Sequence, residues 1–113
     1  MNWLHDISYF LGGAFLTNAI PHFVCGVMGR PFQSPFAKPP GEGLSSSTTN
    51  ALWGFVNLVI GYLLVLQVGD FDLHSAEQVV ACGLGILLMA LFMARLFGRI
   101  NGGNSPAGSA EVR

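Results

Sequence analysis

Three long stretches of the sequence contain no Asp, Glu, Lys or Arg, and they limit the chain to few folds. They cover residues 7–29, 44–69 and 78–94. A helix of about 20 apolar residues crosses the roughly 30 Å hydrocarbon core of a bilayer. The pattern therefore predicts an all-α integral membrane protein with three transmembrane helices, at about residues 7–28, 49–68 and 77–97. In this prediction residues 1–100 form one three-helix transmembrane domain.

The composition supports a membrane protein. Charged residues make up 10% of the chain and the net charge is −1, whereas soluble domains have about 25% charged residues. No basic cluster is present, so nucleic acid is not an expected partner. After Gly98 the sequence is dominated by Gly, Ser, Asn and Pro, a composition that predicts a disordered cytoplasmic tail over residues 101–113.

The basic residues are distributed unevenly along the chain. The first loop contains Arg30 and Lys38, and the C-terminal flank contains Arg95, Arg99 and Arg113, whereas the N-terminal flank and the second loop have no Lys or Arg. With an odd number of helices, all of these residues lie on one side of the membrane. Since basic residues favour the cytoplasmic side, we predict an N-terminus outside and a C-terminus inside.

Local signals mark where the second and third helices begin. A run of Ser and Thr at residues 45–49 offers N-caps for the helix that opens near Asn50. Ser75 followed by Gln78 matches the spacing of a capping box for the third helix. The first loop contains four prolines, so it cannot be a continuous helix.

A group of polar or helix-breaking residues interrupts the first two apolar stretches. It consists of Asn18, Pro21, His22, Asn50 and Asn57, here named the polar seam. Helical periodicity places the members of each helix on one face, so the two faces are predicted to meet. The seam has two interpretations: hydrogen bonds that hold the helices together, or an intramembrane pathway in which His22 relays a proton or binds a substrate.

Pro21 has a further consequence for the backbone. Proline lacks an N–H group, so the carbonyl of Thr17, four residues earlier, loses its helical partner. We expect the side-chain amide of Asn18 or Asn57 to donate to that carbonyl.

Small residues form packing faces on the second and third helices. Membrane helices associate where small side chains allow close approach of their backbones. The predicted packing positions are Gly54, Gly61, Ala81 and Gly85.

The segment "RPFQSPFAKPP" in the first loop combines aromatic and basic residues. Arg30 and Lys38 stand close to Phe32 and Phe36, and basic residues beside aromatic ones attract anionic lipid headgroups. We predict that these four residues contact lipid or a partner protein.

Catalytic and metal-binding patterns are not evident. No Ser–His–acid or Cys–His pair has a supporting spacing, and the His and acidic residues that flank the spans lack the close spacing of a metal site. We therefore expect no catalytic residues, no metal and no cofactor.

The stretch "FLTNAIPHFVCGVMGRPFQSPFAKPPGEGLSS", followed by "LWGFVNLVIGYLL", resembles short bacterial inner-membrane proteins to which no activity is assigned. The resemblance covers the first two spans and the loop between them. It implies a multi-pass protein of a bacterial inner membrane, and it brings no binding residues.

The first expectation for function is a non-enzymatic accessory or assembly component of that membrane. The alternatives are a homo-oligomeric transporter or channel for ions or small solutes, lined by the Asn and His side chains, and a membrane enzyme or cofactor-handling protein. Three helices with Gly-rich faces cannot bury all of their packing surfaces against one another. We therefore expect the lipid bilayer and either a second copy of the chain, in a homo-oligomer, or a membrane-protein partner to cover the rest.

Overall fold

Three long helices and one short hairpin make up residues 2–104, the part of the chain that the computed structural model describes. Helix α1 spans Trp3–Val27, α2 spans Ser47–Tyr62 and continues as a π-helical segment, Leu63–Gln67, and α3 spans Ala76–Asn101. All three are long and apolar enough to cross a membrane. The prediction of three such helices is therefore confirmed.

Two helix ends extend four residues beyond the prediction. Helix α1 begins four residues early because the Asn2 side chain accepts hydrogen bonds from the backbone N–H groups of Leu4 and His5. Helix α3 continues to Asn101 and ends at Gly102, whose φ of 80° is left-handed. The predicted tail, 101–113, thus begins with a helical residue, and its residues 105–113 lie outside the described part of the chain.

The predicted caps of α2 and α3 are only partly as expected. The Ser46 hydroxyl accepts a hydrogen bond from the Thr49 N–H at 3.1 Å, and the Ser75 hydroxyl accepts one from the Gln78 N–H at 3.3 Å. The second half of the capping box is missing, because the Gln78 side chain accepts from the N–H of Asp72 instead.

Helix α1 is the centre of the bundle, since it packs against both α2 and α3 whereas those two helices have little direct contact. Glycines make the α1–α2 approach possible. A Cβ on Gly54 would lie 2.5 Å from the backbone nitrogen of Phe23, and one on Gly61 would meet the side chain of Leu16. Both glycines were predicted as packing positions.

The α1–α3 interface also relies on small residues. A Cβ on Gly85 would collide with the backbone carbonyl of Phe10, and one on Gly13 would collide with the carbonyl of Cys82. Ala81 is half-buried beside this contact. Gly13 was not among the predicted packing residues, because the sequence did not indicate that α1 uses two opposite faces.

The π-helical segment Leu63–Gln67 widens the end of α2. Such insertions leave a backbone carbonyl available to a donor from outside the helix. Here the hydroxyl of Ser8 on α1 donates to the carbonyl of Leu64 at 2.5 Å, so the irregular turn is tied to the central helix.

The first loop folds back over one end of the bundle, named here the loop end. Within it, β1 (Phe32–Gln33) and β2 (Leu44–Ser45) pair antiparallel, with Phe32 opposite Ser45. The Gln33 side-chain amide donates to the Asn101 side chain at 3.2 Å. This bond fixes the hairpin to the end of α3. The hairpin was not predicted from the sequence.

Candidate functional site

The polar seam lies between α1 and α2, under the loop. At its inner position the Asn18 side-chain amide donates to the Asn57 side-chain oxygen at 3.0 Å, and the Asn57 amide donates to the carbonyl of Trp53 at 2.7 Å. Asn57 is fully buried. Both ends of its side chain are therefore bonded within the chain.

The outer position of the seam joins His22 to Asn50. His22 Nδ1 lies 2.8 Å from Asn50 Oδ1, and the two residues are 2% and 0% exposed. Asn50 Nδ2 donates to carbonyls at 3.1–3.2 Å, those of Phe32, Ser45 and Ser46. A single buried amide thus connects α1, α2 and both strands of the hairpin.

Aromatic rings enclose His22 on the sides that Asn50 leaves open. The imidazole makes edge contacts with Phe32, Trp53 and Phe97, at centroid distances of 5.5, 6.4 and 6.3 Å. Phe32 and Phe97 also contact each other at 4.8 Å. The hairpin, α2 and α3 each contribute one ring to this enclosure.

The expectation for the Thr17 carbonyl is wrong. Asn18 and Asn57 direct their amides elsewhere, and no side chain of the described residues donates to that carbonyl. Helix α1 nevertheless continues through Pro21. The Thr17 hydroxyl itself donates to the carbonyl of Gly13, one turn earlier, at 2.9 Å.

The aromatic and basic residues of the loop do not act as one surface. Phe32 is half-buried and contacts His22 and Phe97, so it lies apart from the exposed residues of the loop. Phe36 is 62% exposed, and Arg30 and Lys38 are exposed as well. Contact of the four loop residues with lipid or a partner stays a prediction.

A cavity of about 200 Å³ lies against the seam at the loop end, and Asn18, His22, Trp53 and Phe97 form part of its wall. A wider groove of about 740 Å³ lies toward the opposite end, with Leu16 in its wall. Within residues 2–104, no group of three or more His, Cys, Asp and Glu side chains is placed to hold a metal ion.

Several residues of this site were missed by sequence reasoning. They are Gln33, Ser45, Trp53 and Phe97. Gln33, Ser45 and Phe97 carry no local signal, because each reaches the seam only through the fold of the loop or through the packing of a distant helix. Trp53 lies on α2 at helical spacing from Asn50 and Asn57, so helical periodicity could have found it.

Comparison with protein-family models, curated proteins and solved structures finds no match for this chain. The resemblance to short bacterial inner-membrane proteins stays a prediction. Functional interpretation therefore depends on the geometry of the site.

Proposed function

We propose that the chain is an integral protein of a bacterial inner membrane, with its loop end in the cytoplasm. Support comes from the charges on the described residues. Arg30 and Lys38 in the loop and Arg95 and Arg99 on α3 are exposed near the loop end, whereas the turn between α2 and α3 carries no Lys or Arg. This asymmetry follows the positive-inside rule.

Within that membrane we propose a non-enzymatic accessory or assembly role. The observation that carries the proposal is a contrast between the seam and α3. The seam side chains bond to one another and to the backbone of the same chain. Helix α3 is the most apolar, with a mean hydropathy of 2.3 in its span window, yet only 11% of that window is buried, against 28% for the other two helices.

The unburied face of α3 is the surface that we assign to a membrane-protein partner. Leu84, Leu87, Leu88 and Leu91 follow helical spacing along it and are each about half exposed. On the same helix Gly83 has open space where a Cβ would be, and small residues allow a second helix to approach closely.

Site-specific photo-crosslinking tests this role. A photoreactive amino acid replaces Leu87 on α3 or, as a matched control, Leu52 on α2, which is 64% exposed. We expect position 87 to crosslink to one defined membrane protein and position 52 to crosslink to lipid. Lipid adducts alone at both positions would contradict an accessory role.

A homo-oligomeric transporter or channel is the second candidate. The observation that favours it is a cavity at the loop end lined by Asn18 and His22, together with a groove at the opposite end that reaches Leu16 on the same helix. This candidate predicts a pH-dependent flux through liposomes that shifts when His22 is replaced by Gln. We expect no flux of ions or small solutes from the purified chain.

A further inference from the structure

The hydrogen bonds of Asn50 determine which nitrogen of His22 carries the proton. Asn50 Nδ2 faces backbone carbonyls of Phe32, Ser45 and Ser46, which only accept hydrogen bonds. The other end of the amide, Oδ1, is therefore the acceptor that faces His22 Nδ1 at 2.8 Å. In the neutral ring the proton is on Nδ1, and Nε2 carries a lone pair.

Nε2 of His22 has no hydrogen-bond partner among the described residues, although the side chain is 2% exposed. The aromatic rings around the imidazole offer no hydrogen-bond donor except the indole N–H of Trp53. An acceptor without a partner in a nearly buried side chain favours a donor from outside the chain.

The polar group on Trp53 is likewise unused. Its indole N–H is buried and has no partner within the part of the chain that the structure describes. The Trp53 ring lies 6.4 Å from the imidazole, centroid to centroid. A single oxygen atom bridges the two rings only if it lies within about 3 Å of each nitrogen.

Both rings belong to the wall of the loop-end cavity of about 200 Å³. No Asp, Glu, Lys or Arg lines it, and much of the wall is apolar, with Phe92, Met93 and Leu96 from α3. An apolar cavity of about 150 Å³ holds a benzene molecule. The space thus suits one neutral ring with a small substituent.

We propose that this cavity binds the hydroxylated aromatic ring of a small phenol-type molecule. A phenolic hydroxyl is both an acceptor and a donor. Its oxygen accepts the Trp53 indole N–H, and its hydrogen is donated to His22 Nε2. The ring of the ligand packs against Phe97 and the apolar side chains of α3.

Three fluorinated probes test the proposal by ¹⁹F NMR titration of the chain in nanodiscs. 4-Fluorophenol can make both bonds, 4-fluoroanisole can only accept, and 4-fluorotoluene can make neither. The variant that tests the bond is Trp53→Phe, which keeps an aromatic ring and removes an N–H group that has no partner among the described residues. Each probe also partitions into the lipid of the nanodisc. This contribution is the same for both proteins and is subtracted from each titration.

We expect 4-fluorophenol to bind the wild-type chain about tenfold more tightly than Trp53→Phe, the loss of one hydrogen bond of ordinary strength. 4-Fluorotoluene should bind both proteins equally. Equal binding of 4-fluorophenol to both proteins, or 4-fluorotoluene binding the wild type as tightly as 4-fluorophenol, would overturn the proposal and leave an apolar or water-filled cavity.

A second measurement reports on His22 itself. In ¹⁵N-histidine-labelled protein, saturation with 4-fluorophenol should move the Nε2 resonance of His22 in the direction of a hydrogen-bonded nitrogen and leave His5 and His74 unchanged. A His22 resonance that does not move at saturation would also overturn the proposal.

Discussion

The replacement of Asn50 by Leu removes the side chain that joins the most elements at the loop end. Leu has the same branching and the same number of side-chain heavy atoms as Asn, although its methyl groups make it larger, so the change deletes hydrogen bonds without leaving a cavity. It breaks the contact of 2.8 Å with His22 and the contacts of 3.1 and 3.2 Å with the carbonyls of Phe32 and Ser45. The carbonyl of Ser46 keeps a partner, the backbone N–H of residue 50.

The size of the effect follows from what is left unpaired. His22 is 2% exposed, and a buried donor without a partner costs about 1–3 kcal/mol. Phe32 and Ser45 are opposite each other in the hairpin, so each carbonyl loses one of its hydrogen bonds, at a cost of about 0.5–1 kcal/mol. We expect Asn50→Leu to lower the free energy of unfolding by about 3 kcal/mol.

Asn57→Leu is the matched control, since Asn57 lies on the same helix and is also 0% exposed. It makes one bond between helices, that from Asn18, and such bonds in membranes contribute about 0.6 kcal/mol on average and about 1.7 kcal/mol at most. Asn50→Leu should therefore cost clearly more than Asn57→Leu.

Reversible unfolding of both variants in mixed micelles, with increasing SDS and tryptophan fluorescence as the signal, measures the difference. If Asn57→Leu cost as much as Asn50→Leu, or more, the assignment of Asn50 as the main connection of the loop end would be refuted.

Three further predictions concern packing, the π-helical segment and orientation. Gly54→Ala should lower the free energy of unfolding by about 1–3 kcal/mol because its Cβ meets the backbone of α1. Gly83→Ala, whose Cβ lies in open space, should leave that free energy unchanged or raise it by up to about 1 kcal/mol. Thermal unfolding in detergent measures both variants, and equal losses of stability would contradict the packing of α1 against α2. Ser8→Ala should cost about 1 kcal/mol by removing the donor to the Leu64 carbonyl, and an unchanged stability in the same assay would show that the carbonyl needs no partner. In a chain without its native cysteines, Asp72→Cys should react with a membrane-impermeant maleimide on intact cells and Lys38→Cys only after permeabilisation; the reverse pattern would invert the proposed orientation.

The sequence was sufficient for the helices and for much of the seam. Long uncharged stretches predict spans because a bilayer offers no partner for charge. Asn18 and Asn57 stand out for the same reason, as polar groups within apolar segments. Local chemistry also located Ser75 as a cap, although the partner of Gln78 proved to be Asp72, which folds back from the preceding loop.

The loop and its contribution to the site could not be predicted. Phe32 beside Arg30 has the composition of a lipid anchor, and only the hairpin turns it inward onto His22. Gln33 and Asn101 meet across 68 positions of sequence, and no local pattern encodes such a pair. Gly13 was missed because packing on two faces of α1 depends on where α3 lies.

Native mass spectrometry of the chain, extracted from its source membrane into nanodiscs, tests the accessory role most directly. The account predicts a complex with a second, different membrane protein in a fixed stoichiometry, and loss of that partner when Leu87 on the exposed face of α3 is replaced by Arg. A homo-oligomer without any second protein, together with solute flux through liposomes, would contradict it and would make the Asn18–His22–Asn57 seam a transport pathway.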